Sequence, residues 1–385
     1  MIKRNLTDKL LDLSEKFQVI TITGPRQSGK TTLVKSTFPS FSYVSLEEPD
    51  IRQFALSDPR GFLSNYPDGV ILDEIQHTPE LFSYIQTIVD NDQVRKFILT
   101  GSSNFLLLEK ISQTLAGRTA ILHLLPLSYD ELSNGGYKFE KYEELIFSGQ
   151  YPRIYDRKIL PTDFYPSYIQ TYVERDVRMI KNIGDINSFI QFIQLCAGRI
   201  GQLLNYSSLA NDAGVSPNTA KSWISILEAS YIIFRLQPYH KNFNKRLVKQ
   251  PKLYFYDTGL ACSLLRIQGE DQISMHFMKG ALFENLIINE FIKKNFNRGK
   301  RQYPYFWQDN HGRKIDCLLE EGERLTPVEM KSAKTIDNSY FDNLKFWYEL
   351  TKSPTDSGYV VYGGEKILKS NYGNYVGWRG LNQIN

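Results

Sequence analysis

Residues Gly24-Pro25-Arg26-Gln27-Ser28-Gly29-Lys30-Thr31-Thr32 carry the spacing G-x-x-x-x-G-K-[ST] without a mismatch. In such a loop, backbone N–H groups curl around phosphates, the lysine reaches the outer phosphates and the hydroxyl reaches Mg²⁺. Lys30 and Thr31 fill those two positions, and Gly24 to Thr32 form the expected cradle for ATP or GTP. The flanks supply the context this loop needs. Gln18-Val19-Ile20-Thr21-Ile22-Thr23 is a β-branched strand pattern, and Thr32-Leu33-Val34-Lys35-Ser36 opens a helix whose N-terminus favours phosphate charge.

The run Gly69-Val70-Ile71-Leu72-Asp73-Glu74 reads as a buried strand ending in two acids. Asp73 is placed to hold Mg²⁺ and Glu74 to polarise the water that attacks the γ-phosphate, a pairing that favours hydrolysis over transfer to a bound acceptor. The alternative is that the acids only cap a helix starting at Thr78-Pro79-Glu80-Leu81-Phe82. A further strand, Arg95 to Gly101, ends in Ser102-Ser103-Asn104. Asn104 first, and Ser102 second, are expected to touch the γ-phosphate or orient water there, or else to cap the following helix. Leu115-Ala116-Gly117-Arg118 places Arg118 near the end of a helix, expected at the same sheet edge.

With 385 residues the chain has room for two to four domains. Its 42% hydrophobic and 23% charged content excludes disordered and collagen-like classes. A net charge of +4 does not by itself mark a nucleic-acid binder. Cys196, Cys262 and Cys317 are too far apart for a zinc knuckle or a disulfide framework. The N-terminus lacks a signal-peptide core and no run reaches the ~18 apolar residues of a membrane helix, so a cytoplasmic protein without membrane contact is expected.

Ser207-Ser208-Leu209-Ala210-Asn211-Asp212, the turn Ala213-Gly214-Val215 and the run Ser216 to Leu227 follow helix-turn-helix grammar. Ser216 caps, Pro217 takes the first helical position, and Ala220, Trp223, Ile224 and Leu227 share one face. Asn218, Lys221, Ser222 and Ser225 occupy the other, where they can meet bases or phosphates. Two apolar runs, Tyr231 to Leu236 and Leu253 to Tyr256, bracket Lys241, Lys245, Arg246, Lys249 and Lys252, the basic wing expected of a winged helix. A protein-docking or purely structural role for the same module stays open.

Asp316 on one strand and Glu329-Met330-Lys331 on the next match the D…(D/E)-x-K arrangement of restriction-endonuclease-like nucleases. Asp316 and Glu329 can hold Mg²⁺ near a phosphodiester, Lys331 points to the same face and can activate water, and Glu284 upstream is a further candidate ligand. The plain alternative is a strand that alternates apolar and charged residues.

Gly24 to Thr32, Val70 to Glu74, Leu99 to Asn104, Leu115 to Arg118 and Pro126-Leu127-Ser128 together resemble the AAA+ ATPases of bacteria and archaea that carry an uncharacterised C-terminal domain. Phe147-Ser148-Gly149-Gln150-Tyr151-Pro152-Arg153 and Tyr172 to Val177 resemble segments of the same family, the first with Gly-Gln where two glycines are usual. The resemblance implies an α/β fold with a P-loop parallel-sheet core over 1–135, a helical lid or linker over 136–200, a winged helix over 201–262 and a nuclease-like α/β domain over 263–385. It implies a Mg²⁺-dependent ATPase coupled to nucleic acid, with DNA as the expected partner, or a nucleotide-controlled switch that binds a protein, or a DNA-binding regulator whose nuclease-like part is inactive. It also makes Arg118 a candidate for the arginine that one subunit lends to its neighbour's nucleotide, the alternative being a surface salt bridge, and so implies a homo-oligomer while leaving a monomer open.

Overall fold

The computed structural model describes residues 2–92, 94–102, 114–173, 186–240 and 247–384. The first part runs α1 (Thr7–Lys16), β1 (Val19–Thr23), α2 (Lys30–Thr37), β2 (Ser42–Ser45), α3 (Pro49–Ser57), α4 (Pro59–Ser64), β3 (Gly69–Asp73), α5 (Leu81–Asn91), β4 (Lys96–Gly101) and β5 (Thr119–His123). The five strands form one parallel sheet in the order β2-β3-β4-β1-β5. Strands covered on both faces are largely apolar, and β1, β3 and most of β4 are buried throughout. Alternation then sorts them: Val19, Val70, Leu72, Phe97 and Leu99 face the α3 to α5 side, while Ile20, Ile22, Ile71 and Ile98 face α1 and α2. The chain is thus an α/β protein with a P-loop parallel-sheet core, followed by a helical region and a separate sheet.

The helical region comprises α6 (Tyr129–Asn134), α7 (Tyr142–Ser148), α8 (Pro152–Arg157), α9 (Pro161–Tyr168) and α10 (Ile186–Ala197). Next come α11 (Tyr206–Asp212), α12 (Pro217–Ala229), β6 (Ile233–Pro238), β7 (Lys252–Phe255), α13 (Thr258–Leu264) and α14 (Glu270–Met275). The chain closes with α15 (Lys279–Asn297), β8 (Tyr305–Gln308), β9 (Lys314–Glu321), β10 (Arg324–Lys331), α16 (Asp342–Thr351), β11 (Tyr359–Tyr362), β12 (Leu368–Ser370) and β13 (Gly373–Gly377). The hairpin β6-β7 pairs through β6 with β8, so an eight-stranded sheet in the order β12-β13-β11-β10-β9-β8-β6-β7 crosses the boundary expected at 262/263.

One apolar core runs from Leu125 to Ile384, uniting the helical region with that sheet. Helix α15 lies through it and carries a polar face that is bonded at most of its groups, Asn289 Oδ1 being left without a partner among the described residues. Asn285 accepts from Phe255 N and donates to Phe255 O, Asn289 donates to the same carbonyl, and Lys293 donates to Leu127 O at 2.9 Å. Gln150 donates to Glu290 at 2.7 Å and through its backbone to Asp257 at 2.7 Å, and Glu290 accepts from Tyr129 N at 2.8 Å. Buried polar groups are tolerated here because most of them find a partner. No helix among the described residues is long and apolar enough to cross a membrane.

His123, at the end of β5, is buried against Phe296 and shares a 2.8 Å hydrogen bond with Tyr231, whose hydroxyl reaches Thr23. Burial, with Arg301 adding to it, pushes the imidazole down to about 3 from its ordinary 6.5. The unfolded chain therefore binds a proton below pH 6.5 that the folded chain refuses, so the contribution is complete above that pH and is lost on acidification. We expect His123→Gln to reduce the loss of stability between pH 7 and 5 by roughly 2 kcal/mol in all, read by urea unfolding at the two pH values.

Candidate nucleotide site

The loop after β1 is shaped by two glycines with different tasks. A Cβ on Gly24 would lie 2.1 Å from Leu124 O, because β5 runs on beside the loop, and Gly29 adopts φ 92° where it caps α2. Lys30 is buried and donates to Gly24 O at 3.0 Å and Pro25 O at 2.8 Å, folded over the loop it serves. The Ser28 hydroxyl, within the loop, is buried with no hydrogen-bond partner among the described residues, a need that an anion could satisfy.

Asp73 ends β3 and gathers three hydroxyls from three elements. Thr31 donates to its Oδ2 at 2.7 Å from α2, Tyr43 donates to the same oxygen at 2.8 Å from β2, and Thr100 of β4 donates to Oδ1. Glu74 follows in the left-handed region at φ 55° and makes no cap to the turn after it, so the capping alternative is not realised. Its carboxylate accepts from Ser102 Oγ at 2.9 Å and from Gln76. Burial raises this carboxyl, but Lys30, Gln76, Arg26 and Ser102 together outweigh it, leaving Glu74 below its ordinary value and ionised. Burial and the charge of Asp73 push Tyr43 well up, so it remains a donor. We expect Tyr43→Phe to destabilise the fold by about 1.5–3 kcal/mol, read by urea unfolding, since it removes a hydrogen bond to a charged group.

Arg4 is a part of the site that no local motif announces. It is buried, and donates to Ser28 O at 2.6 Å, to Leu125 O at 2.6 Å and to Glu131 at 3.1 Å. Glu131 in turn accepts from Asn5 N at 2.7 Å and from Ser128 N at 2.9 Å in the capping box of α6. The loop is thereby fastened to the chain before β1 and after β5. Arg26 reaches Glu47 at 3.6 Å. Pro152 of α8 also approaches, its Cγ lying 3.8 Å from where a Gly29 Cβ would stand.

Sequence reasoning and geometry part at several residues. Asn104 lies outside the described residues, as do Lys241, Lys245 and Arg246. Arg118 does not stand at the edge that carries the loop. Val19 pairs with Thr119 and Thr23 with His123, so Arg118 precedes the opposite end of the sheet, where it forms a bidentate, exposed pair with Asp90. Lys252, expected on an exposed wing, is 3% exposed and pairs with Glu284 at 3.2 Å, because β7 is an edge strand lying under α15. Lys249 is exposed.

The C-terminal acids do come together. Asp316 on β9 and Glu329 on β10 are both buried, Lys331 reaches Glu329 at 2.9 Å and Asp316 at 3.9 Å, and Lys314 reaches Asp316 at 2.9 Å. Burial raises Asp316, but Lys314, Lys252 and Lys331 outweigh it and hold it down, whereas burial and the neighbouring Asp316 push Glu329 up.

Residues 16–133 match the family model of an AAA domain, residues 139–271 that of a domain of unknown function (DUF8612) and residues 279–379 that of another (DUF4143). With the loop, Asp73 and Glu74 in place, the first match supports an AAA/P-loop ATPase. The chain is 25% identical over 337 residues to the uncharacterized protein Rv2008c of Mycobacterium tuberculosis, covering 86% of this chain and 74% of that one. It is 25% identical over 431 residues to the uncharacterized protein MJ1637 of Methanocaldococcus jannaschii, covering 99% and 87%. Among solved structures, a Walker-type ATPase of Pyrococcus abyssi aligns with a TM-score of 0.46 at 14% identity, over 69% of this chain and 96% of that one.

Proposed function

We propose that the chain is a Mg²⁺-dependent ATPase in which Glu74 orients the attacking water and whose C-terminal half engages DNA. The observation that carries the hydrolytic reading is the division of labour at the end of β3: Asp73 faces the Thr31 hydroxyl, while Glu74 is turned away from it toward Ser102. Thr31 and Asp73 offer the hard oxygen donors that Mg²⁺ takes, so they would hold the ion. When bound, Mg²⁺ neutralises charge gathering on the phosphates. Lys30 would leave the carbonyls of Gly24 and Pro25 for the outer phosphates, and the Ser28 hydroxyl would gain its partner there. Ionised Glu74 would accept a hydrogen bond from water, with Ser102 fixing its orientation.

The DNA reading is supported by α12. Its buried face is Ala220, Trp223, Ile224 and Leu227, and Asn218, Lys221 and Ser225 stand exposed on the other, the side that a recognition helix presents. The deciding experiment is phosphate release from ATP with Mg²⁺, with and without duplex DNA, for the wild type, Lys30→Ala and Lys221→Ala. Turnover abolished in Lys30→Ala and stimulated by DNA only while Lys221 is present is the expected result. Turnover indifferent to DNA would move the C-terminal half to the protein-binding switch reading, and turnover that survives Lys30→Ala would remove the ATPase reading itself.

A further inference from the structure

Helix α15, the strands β8, β9 and β10, helix α16 and strand β11 follow one another in an α-β-β-β-α-β order, with β9 and β10 antiparallel and β10 and β11 parallel. This frame carries three carboxylates, each set against a lysine: Glu284 from α15, Asp316 from β9 and Glu329 from β10. A Mg²⁺ site needs such carboxylates to keep oxygens free for the ion. Here each is already matched. Glu284 Oε1 takes Lys252 at 3.2 Å and the Tyr254 hydroxyl, Glu329 Oε2 takes Lys331 at 2.9 Å and Asn343 at 3.3 Å, and Asp316 Oδ2 takes Met330 N at 3.1 Å. Asp316 Oδ1 meets the Lys314 ammonium at 2.9 Å, close enough for an ion pair although outside hydrogen-bonding angles.

Three carboxyl side chains therefore face three ammonium groups, Lys252, Lys314 and Lys331. Only Lys331 belongs to the E-x-K pattern; Lys252 arrives from β7, outside the α-β-β-β-α-β unit, and its side chain is 4% exposed and lies 5.1 Å over the Phe306 ring. A divalent cation placed among these carboxylates would meet ammonium groups within contact distance of every one, where repulsion is strongest and solvent screening weakest. Among the described residues no three His, Cys, Asp or Glu side chains stand where one ion could join them. We propose that Lys252 and Lys314 serve as built-in cations in the place of a metal, so that the D…E-x-K site of this chain is closed by its own ammonium groups and does not load a divalent ion.

The inference is independent of the ATPase reading and is tested without nucleotide. The probe is Mn²⁺ alone, its binding counted by electron paramagnetic resonance on the full chain carrying Asp73→Asn, which disables the N-terminal site. Adding Asp316→Asn is expected to leave the Mn²⁺ count unchanged. Adding Lys252→Met and Lys314→Met is expected to create one further Mn²⁺ site per chain, which Asp316→Asn then removes. Loss of one bound Mn²⁺ on Asp316→Asn alone overturns the proposal, as does a folded double-lysine variant that gains none. Should that variant fail to fold, Lys314→Gln, at a half-exposed side chain, replaces it in the same comparison, and the Asp316→Asn result decides on its own.

Discussion

Glu74→Gln is expected to leave ATP affinity within about twofold of the wild type while lowering kcat by roughly 10²–10⁴, the usual contribution of a positioned general base. The substitution keeps the size of the side chain, and the amide oxygen can still accept from Ser102 and Gln76, so the left-handed turn at Glu74 has no reason to move. What disappears is a carboxylate kept ionised beside Lys30. Asp73, one residue earlier, retains its three hydroxyl donors, so the contacts proposed for metal and nucleotide are untouched. A fluorescent nucleotide titration beside steady-state phosphate release separates the two effects. Equal turnover in the variant and the wild type would take water activation away from Glu74, and a parallel loss of binding would make it a structural residue.

Arg4→Ala is expected to destabilise the fold by about 3–5 kcal/mol, because it leaves a buried charge without its partner. Arg4 is 8% exposed and Glu131 1%, and the same guanidinium also satisfies the carbonyls of Ser28 and Leu125. Since Ser28 lies inside the phosphate loop, the variant should also raise the KM for ATP, whereas an equally destabilising core truncation far from the loop should not. Denaturant unfolding gives the first effect and steady-state kinetics the second. Arg4→Ala combined with Glu131→Gln should recover part of the stability, as the stranded charge goes, but not the KM, as the Ser28 carbonyl remains unanchored.

Residues close in sequence were the legible ones. The phosphate loop, the strand ending in Asp73 and Glu74, and the apolar face of α12 each lie within one element, so spacing alone reveals their geometry. Asp316, Glu329 and Lys331 were also visible, since adjacent antiparallel strands put i and i+2 on one face. Arg4 reaches partners 24, 121 and 127 residues away, and no periodicity encodes that. Tyr43 reads only as an apolar strand residue until β2 pairs with β3 and brings its hydroxyl to Asp73. Arg118 was misplaced because helix-to-strand order says nothing about which end of the sheet a residue meets; the register of β1 with β5 decides it. Lys252 misled through composition, since a lysine among lysines suggests a solvated face, and only the edge position of β7 beneath α15 shows it buried.

Helix α15 answers on one flank to Leu127, Tyr129 and Gln150, and on another to Lys252 and Tyr254. In terms of inheritance, that makes the C-terminal half a poor unit of exchange. A recombination joint placed near residue 270 would pair a new α15 with an old Gln150 and Lys252, and each mismatch would strand a polar group inside the shared core. Descent with one C-terminal half replaced by another would have to carry along the positions around 127, 150 and 252, so relatives are expected to vary at these places together.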